Sequence, residues 1–155
     1  MAATELDRTD RRILNLLQRD GRMTNAELAG RVNLSASACL RRVQRLEQSG
    51  VIDRYVLLVR QEAVGKPTSV FVEISLDSQS DESLDAFERA VADCPEIMEC
   101  FLMAGDSDYL LRLVVADARD YERIHRQHLS RFPHVARIRS NFALRTVCRK
   151  TALVL

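Results

Sequence analysis

The sequence predicts an α+β protein in two parts, a helix–turn–helix segment followed by a β-α-β-β-α-β unit of the ferredoxin-like kind. Three features of the chain predict this. Residues 24–50, TNAELAGRVNLSASACLRRVQRLEQSG, read as two short helices around a sharp turn. After Pro67 the hydrophobic period drops from about 3.6 to about 2, with Val70, Val72, Ile74 and Leu76 along one face. Charge is also divided. Residues 1–60 hold 11 Lys and Arg against 7 Asp and Glu, residues 61–155 hold 12 against 15, and the whole-chain net of +1 conceals a basic head and an acidic body.

Asp7 opens a first helix, running to about Asp20, with Ile13, Leu14 and Leu17 inward. Thr24 and Glu27 form a T-x-x-E capping box that satisfies two orphan backbone donors of the next helix. Leu28 and Val32 lie four apart on one face, with the small Ala29 beside them, and Asn33 suits a turn position needing positive φ. Ser35 or Ser37 can cap the third helix, where Leu40, Val43 and Leu46, with Cys39 beside them, form the predicted buried stripe, and Gly50 ends it. Tyr55–Val59, rich in β-branched and aromatic residues, reads as a strand.

Gly65 and Pro67 mark residues 61–67 as a linker, giving a head of residues 1–60 and a second domain of residues 68–155. Thr68–Leu76 is a strand, and Ser80–Asp93 is a helix with Leu84, Phe87, Ala90 and Val91 inward. Ile97–Met103 and Tyr109–Val115 are strands joined by AGDSD, Ala104–Asp108. Asp117 caps a helix to about Phe132, carrying Tyr121, Ile124, His128 and Leu129, and Val135–Leu144 is the last strand. Apolar residues on both faces of two strands, Val70 and Val72 with Phe71 and Leu110 and Val114 with Leu111 and Leu113, predict dimerisation through the sheet.

Several function classes find no support. No apolar run approaches the ~20 residues that span a bilayer, and the opening MAATELDRTD is too polar and acidic for a targeting signal, so a cytoplasmic protein is expected. Cys39, Cys94, Cys100 and Cys148 are scattered without a C-x-x-C pair and read as reduced, mostly packed thiols. His125 and His128, three apart, read as part of a solvated helix face, so no metal is expected. No Gly-rich phosphate loop, Walker motif or G-x-S-x-G is present, and neither an enzyme nor a cofactor is expected.

The third helix carries Arg41, Arg42 and Arg45. Any amphipathic helix has a charged face, but here that face belongs to the basic part of the chain, which suits a phosphate backbone. The small Ser37 and Ala38 allow close approach to base edges, and the helix N-terminus attracts a phosphate. The three arginines divide between phosphates and guanine edges.

The runs LDRTDRRILNLLQRDGR, TNAELAGRVNLSASACLRRVQRLEQSGVI, VFVEISL and GDSDYLLRL, in that order, resemble the Lrp/AsnC (feast/famine) transcription regulators, and the leucine-responsive branch more than the asparagine-responsive one. The resemblance spans essentially the whole chain. It implies a winged-helix-like DNA reader with Ser35–Ser49 as recognition helix, a strand hinge near Tyr55–Val59 that helps pair subunits, and an amino-acid-sensing βαββαβ domain. It also implies homodimers that assemble further, often to octamers, on double-stranded DNA. The candidate DNA contacts are then Thr24, Asn25, Ser35, Ser37, Ala38, Arg41, Arg42 and Arg45.

The implied effector cleft lies near the connection between the second and third strands of the βαββαβ unit, at a subunit interface. It corresponds here to Leu102, Met103, Gly105, Asp106, Asp108 and Tyr109, with neighbouring-subunit contacts near residues 131–135. Gly105 admits a ligand to the backbone, Asp106 or Asp108 can hold an ammonium, and Leu102 and Met103 offer an apolar wall. Gly and Asp are equally at home in a plain tight turn. Three residues depart from the family pattern: Ala36 for a common proline, Ser107 for a frequent aromatic, and His134 for a frequent glycine. The competing expectation is a small-molecule-binding or enzymatic βαββαβ protein with a helical interaction module.

Overall fold

The computed structural model describes residues 5–155. The expectation that the opening residues carry no targeting signal falls partly on residues 1–4, outside the described residues. The chain divides into two compact units, one formed by residues up to Leu58 together with Val147–Leu155, the other by Val59–Thr146. The last nine residues, which the sequence groups with the second domain, thus join the first unit. There Gln18 Nε2 donates to the Leu153 carbonyl at 3.2 Å and its Oε1 accepts from the Leu153 N–H at 2.6 Å.

In the first unit, α1 (Arg8–Leu17) begins with an all-aspartate capping box. Asp7 accepts from the Asp10 N–H at 2.8 Å, and Asp10 accepts from the Asp7 N–H at 3.2 Å. Helix α2 (Asn25–Val32) carries the expected Thr24–Glu27 box and ends at Asn33, whose φ of 57° is the left-handed cap anticipated from the sequence. Ser35 caps α3 (Ala36–Gln48), accepting from the Ala38 N–H at 3.2 Å, so the choice between Ser35 and Ser37 falls to Ser35. Ile13, Leu14, Leu28, Ala29, Val32, Cys39 and Leu46 form the core.

Two expectations for this unit are corrected. Leu40 is 45% exposed while Cys39 is fully buried. The stripe of α3 runs through Cys39, Val43 and Leu46, and one residue of offset turns Leu40 about 100° away from it. Tyr55–Val59 forms no strand, and all five side chains are exposed. β-propensity supplies only a willing backbone; a strand also needs a partner to accept its ladder hydrogen bonds, and among the described residues this segment has none.

In the second unit a 3₁₀ turn at Glu62–Val64 leads, through Gly65 at φ 71°, to β1 (Thr68–Leu76). Then follow α4 (Asp81–Ala92), β2 (Ile97–Leu102), β3 (Tyr109–Val115), α5 (Ala118–Gln127) and β4 (Val135–Phe142). The strands pair antiparallel in the order β2-β3-β1-β4, which is the ferredoxin-like arrangement expected. Val70, Val72 and Ile74 of β1 and Tyr109, Leu111, Leu113 and Val115 of β3 pack against Phe87 and Val91 of α4 and Tyr121 and Ile124 of α5. The alternate positions Phe71, Glu73, Leu110 and Arg112 lie on the opposite face, where Phe71 is exposed.

Helix α5 stops short of Phe132. His128 leaves helical geometry (φ −122°, ψ −68°), and the chain tightens into a 3₁₀ turn at Leu129–Arg131 before Phe132 turns extended ahead of Pro133. Among the described residues no helix is long and apolar enough to cross a membrane.

Phe87 is fully buried, its ring 4.5 Å from that of Tyr109 and 5.7 Å from that of Phe132. Phe87→Ala is expected to destabilise the second unit by about 3–5 kcal/mol. Urea unfolding would show this as a lower midpoint at an unchanged m-value, and a midpoint close to that of the parent would contradict the core assignment.

Candidate DNA-binding helix and effector loop

The exposed side of α3 is a groove as well as a charged face. Leu34, Ala38, Arg41, Arg42 and Arg45 line an open hollow of about 410 Å³. Its small residue, Ala38, sits in the first turn of the helix and its guanidiniums lie beyond, so a phosphate or base edge could enter between them. Ser37 and Arg41 are exposed, and Arg41 makes no ion pair among the described residues.

Arg42 and Arg45 are held differently. Arg42 Nη1 donates to Asp7 Oδ2 at 2.6 Å and to Asp10 Oδ1 at 2.8 Å, while Arg45 Nη2 pairs with Asp10 Oδ2. Asp10 is only 1% exposed. The Asp10 backbone N–H, and then Arg42, hold the Asp7 carboxyl below the usual carboxylate range, and the same two aspartates push the Arg42 guanidinium up.

Sequence reasoning missed Asp10. Its signal was available, since Asp10, Ile13, Leu14 and Leu17 recur at helical spacing and place a carboxylate on the inward face of α1. A carboxylate there requires cationic partners, and the α3 arginines supply them.

The other candidate DNA contacts are partly committed to the scaffold. Thr24 is engaged with Glu27, and Ser35 caps α3 while its hydroxyl lies 3.3 Å from that of Ser37. Asn25 Nδ2 donates to the Ala36 carbonyl at 2.8 Å, fastening α2 to the start of α3. Ser35 and Asn25 fix where α3 begins, and Thr24 fixes where α2 begins.

In the second unit the six effector candidates separate into two groups. Asp108 accepts from the Leu76 N–H through Oδ2 and from Gln79 Nε2 through Oδ1, both at 2.7 Å. Its own N–H donates to the Ile74 carbonyl at 2.9 Å and its carbonyl accepts from the Met103 N–H at 2.8 Å, closing the AGDSD connection. Tyr109 is 1% exposed, and its hydroxyl donates to Glu88 Oε1 at 2.8 Å. Burial first, then Glu88, push the phenol well up. By contrast Leu102, Met103, Gly105 and Asp106 are exposed, and a Cβ built on Gly105 would meet nothing within 4 Å.

Residues 131–135 reach the same end of the sheet. The Asp77 N–H donates to the His134 carbonyl at 2.8 Å, and His134 Nδ1 lies 3.2 Å from Asp77 Oδ1. His134 has φ 62°, a left-handed conformation that a glycine adopts without strain. The segment Leu76–Gln79 therefore touches both Asp108 and His134, and brings the AGDSD connection and the turn after α5 to one corner.

Comparison with known proteins accounts for both parts. Residues 6–53 match the family described as winged helix-turn-helix DNA-binding, and residues 69–153 match the Lrp/AsnC ligand binding domain. The Bkd operon transcriptional regulator of Pseudomonas aeruginosa is 43% identical over 148 residues, covering 96% of this chain and 97% of that one. The leucine-responsive regulatory protein of Escherichia coli K12 is 41% identical over 151 residues, covering 97% and 92%. A transcriptional regulator from Neisseria meningitidis, solved as an L-Met complex, superposes with a TM-score of 0.91 at 34% identity, covering 96% of each chain. An AsnC family transcriptional regulator from Agrobacterium tumefaciens does so with a TM-score of 0.91 at 38% identity, again over 96% of each. With both halves matched and near full-length relatives above 40% identity, the chain belongs to the Lrp/AsnC family of DNA-binding transcriptional regulators.

Proposed function

We propose that this regulator binds operator DNA in the cytoplasm as a homodimer, itself assembling to an octamer, and that an amino acid bound beside Gly105 shifts its assembly. The observation that carries the DNA part is the α3 groove, where Ala38 and Arg41 face outward beside two arginines fixed by Asp10. The head of residues 1–60, the linker of residues 61–67 and the domain of residues 68–155 divide the work of reading, joining and sensing. Two recognition helices of a dimer address half-sites about one helical turn, roughly 34–36 Å, apart. The exposed apolar row Tyr55–Val59 and the outward Phe71 give a second copy of the chain surfaces to pair with.

An amino-acid effector is supported by two relatives, one named as leucine-responsive and one solved as an L-Met complex. Of the two aspartates able to hold its ammonium, Asp106 is the one left exposed, because Asp108 already accepts two hydrogen bonds from the scaffold. Leu102 and Met103 form the apolar side, and residues 131–135 of a neighbouring subunit complete the cleft. Ligand acts only through different affinity for two assembly states.

A gel-shift titration with DNA from upstream of the protein's own gene, at two salt concentrations and with a panel of amino acids, tests both parts. A salt-sensitive shift altered by one amino acid is expected; no shift on this or on selected DNA would favour a βαββαβ protein with a helical interaction module.

Variants separate the roles. Arg41→Ala is expected to weaken operator binding by about tenfold or more, equivalent to about 1.4 kcal/mol. Asp10→Ala should lower stability near the low end of the roughly 3–5 kcal/mol of a broken buried pair, since the half-exposed arginines can turn to solvent. Asp106→Ala should abolish the amino-acid response and leave basal DNA affinity intact. Asp108→Ala should instead lower the melting temperature as well, and equal melting temperatures for the two variants would contradict the separation.

A further inference from the structure

We propose that Cys94, Glu96 and His128 form a binding site for a zinc-like transition-metal ion, set between the C-terminal ends of α4 and α5. A thiol sulfur, a carboxylate oxygen and an imidazole nitrogen of these residues lie within 4.8 Å of one another. Zinc-like ions bond sulfur at about 2.3 Å and nitrogen and oxygen at about 2.0–2.2 Å, so side-chain rotation would have to close the three donors around the ion.

The fold delivers the three donors from separate places. Cys94 follows the end of α4, its N–H donating to the Val91 carbonyl at 3.1 Å, and it is buried. Glu96 lies in the turn into β2, closed by the Ile97 N–H on the Cys94 carbonyl at 3.1 Å. His128 sits where α5 leaves helical geometry, half-buried. In the sequence His128 has no ligands nearby and reads as part of a solvated face; the topology supplies two, more than thirty positions earlier in the chain.

The helix ends at the cluster favour a cation, and the Arg123 guanidinium on Glu96 opposes one in part. Two helix C-termini end at the cluster, and each carries partial negative charge. Glu96 is already oriented: its Oε1 accepts from Arg123 Nη2 at 3.2 Å, and Arg123 is itself held by Asp120 at 2.8 Å. That leaves Glu96 Oε2 on the side of Cys94 Sγ, 3.5 Å away. A carboxylate ligand steered by a partner on its other oxygen is the usual supporting arrangement of a metal site.

The donor set selects the metal. One sulfur, one nitrogen and one oxygen suit zinc and its borderline-soft neighbours, and do not suit magnesium or calcium, which take oxygen. Three protein donors leave a fourth position for water. The bound ion would clip the ends of both helices to the start of β2, so metal binding would stiffen the second unit.

Chelator-stripped full-length protein titrated with Co²⁺ provides the test. One equivalent should bind per chain with a thiolate-to-cobalt charge-transfer band, and Zn²⁺ should displace it. Cys94→Ser should abolish the band, Cys148→Ser should keep it, and His128→Gln should weaken Co²⁺ binding at least about 100-fold, the upper end of what losing a supporting partner costs. No band at saturating Co²⁺, or a band retained in Cys94→Ser, would overturn the proposal. Should Cys94→Ser not fold, unchanged Co²⁺ affinity in both His128→Gln and Glu96→Gln would do the same.

Discussion

A buried carboxylate organises the head of this protein. Asp10 lies on the inward face of α1, almost without solvent, where an unpaired charge would be costly. Arg42 and Arg45 of α3 both reach it, and Asp7 shares Arg42. Because these side chains rise from one helix face, the contact sets the rotation of α3 about its own axis. Cys39 and Leu46 then face the core, and Ala38 and Arg41 face outward. A hydrophobic stripe fixes that rotation only loosely; a charge pair with directional hydrogen bonds fixes it more tightly. The same two arginines thus serve the fold and border the groove.

The second unit shows a comparable economy at one corner of its sheet. Asp108 closes the AGDSD connection and ties it to Leu76 and Gln79, and Asp77 ties the same segment to His134. His134 occupies a left-handed backbone position where the family often has glycine, a conformation that costs on the order of 1–3 kcal/mol for other residues. Its two contacts with Asp77 offset part of that cost. What remains unengaged at the corner is Gly105, Asp106 and the apolar pair Leu102 and Met103.

Much of this was legible in the residues themselves. The change of hydrophobic period after Pro67, the Thr24–Glu27 box and Asn33 each have a local cause, and local causes survive into the structure. What escaped depends on residues distant in the chain. Neighbouring Cys39 and Leu40 are both apolar, and only packing against α1 and α2 selects the first. Tyr55–Val59 has strand composition, but strand structure is a property of a pair. Asp108 has the same sequence signature whether it holds a ligand or a loop, and its two scaffold hydrogen bonds are visible only in three dimensions. Cys94, Glu96 and His128 meet only because α4 and α5 end on the same side of the sheet.

Reading of operator DNA depends on the outward side of α3 entering the groove of the duplex. A photo-crosslinker placed at Ala38→Cys, in a protein whose exposed Cys148 is replaced by serine, tests it most directly. Crosslinks should fall in two patches of the operator about 10–10.5 base pairs apart, one from each recognition helix of a dimer. Absence of crosslinks from this position, while a crosslinker on the second unit reacts with the DNA, would contradict the account.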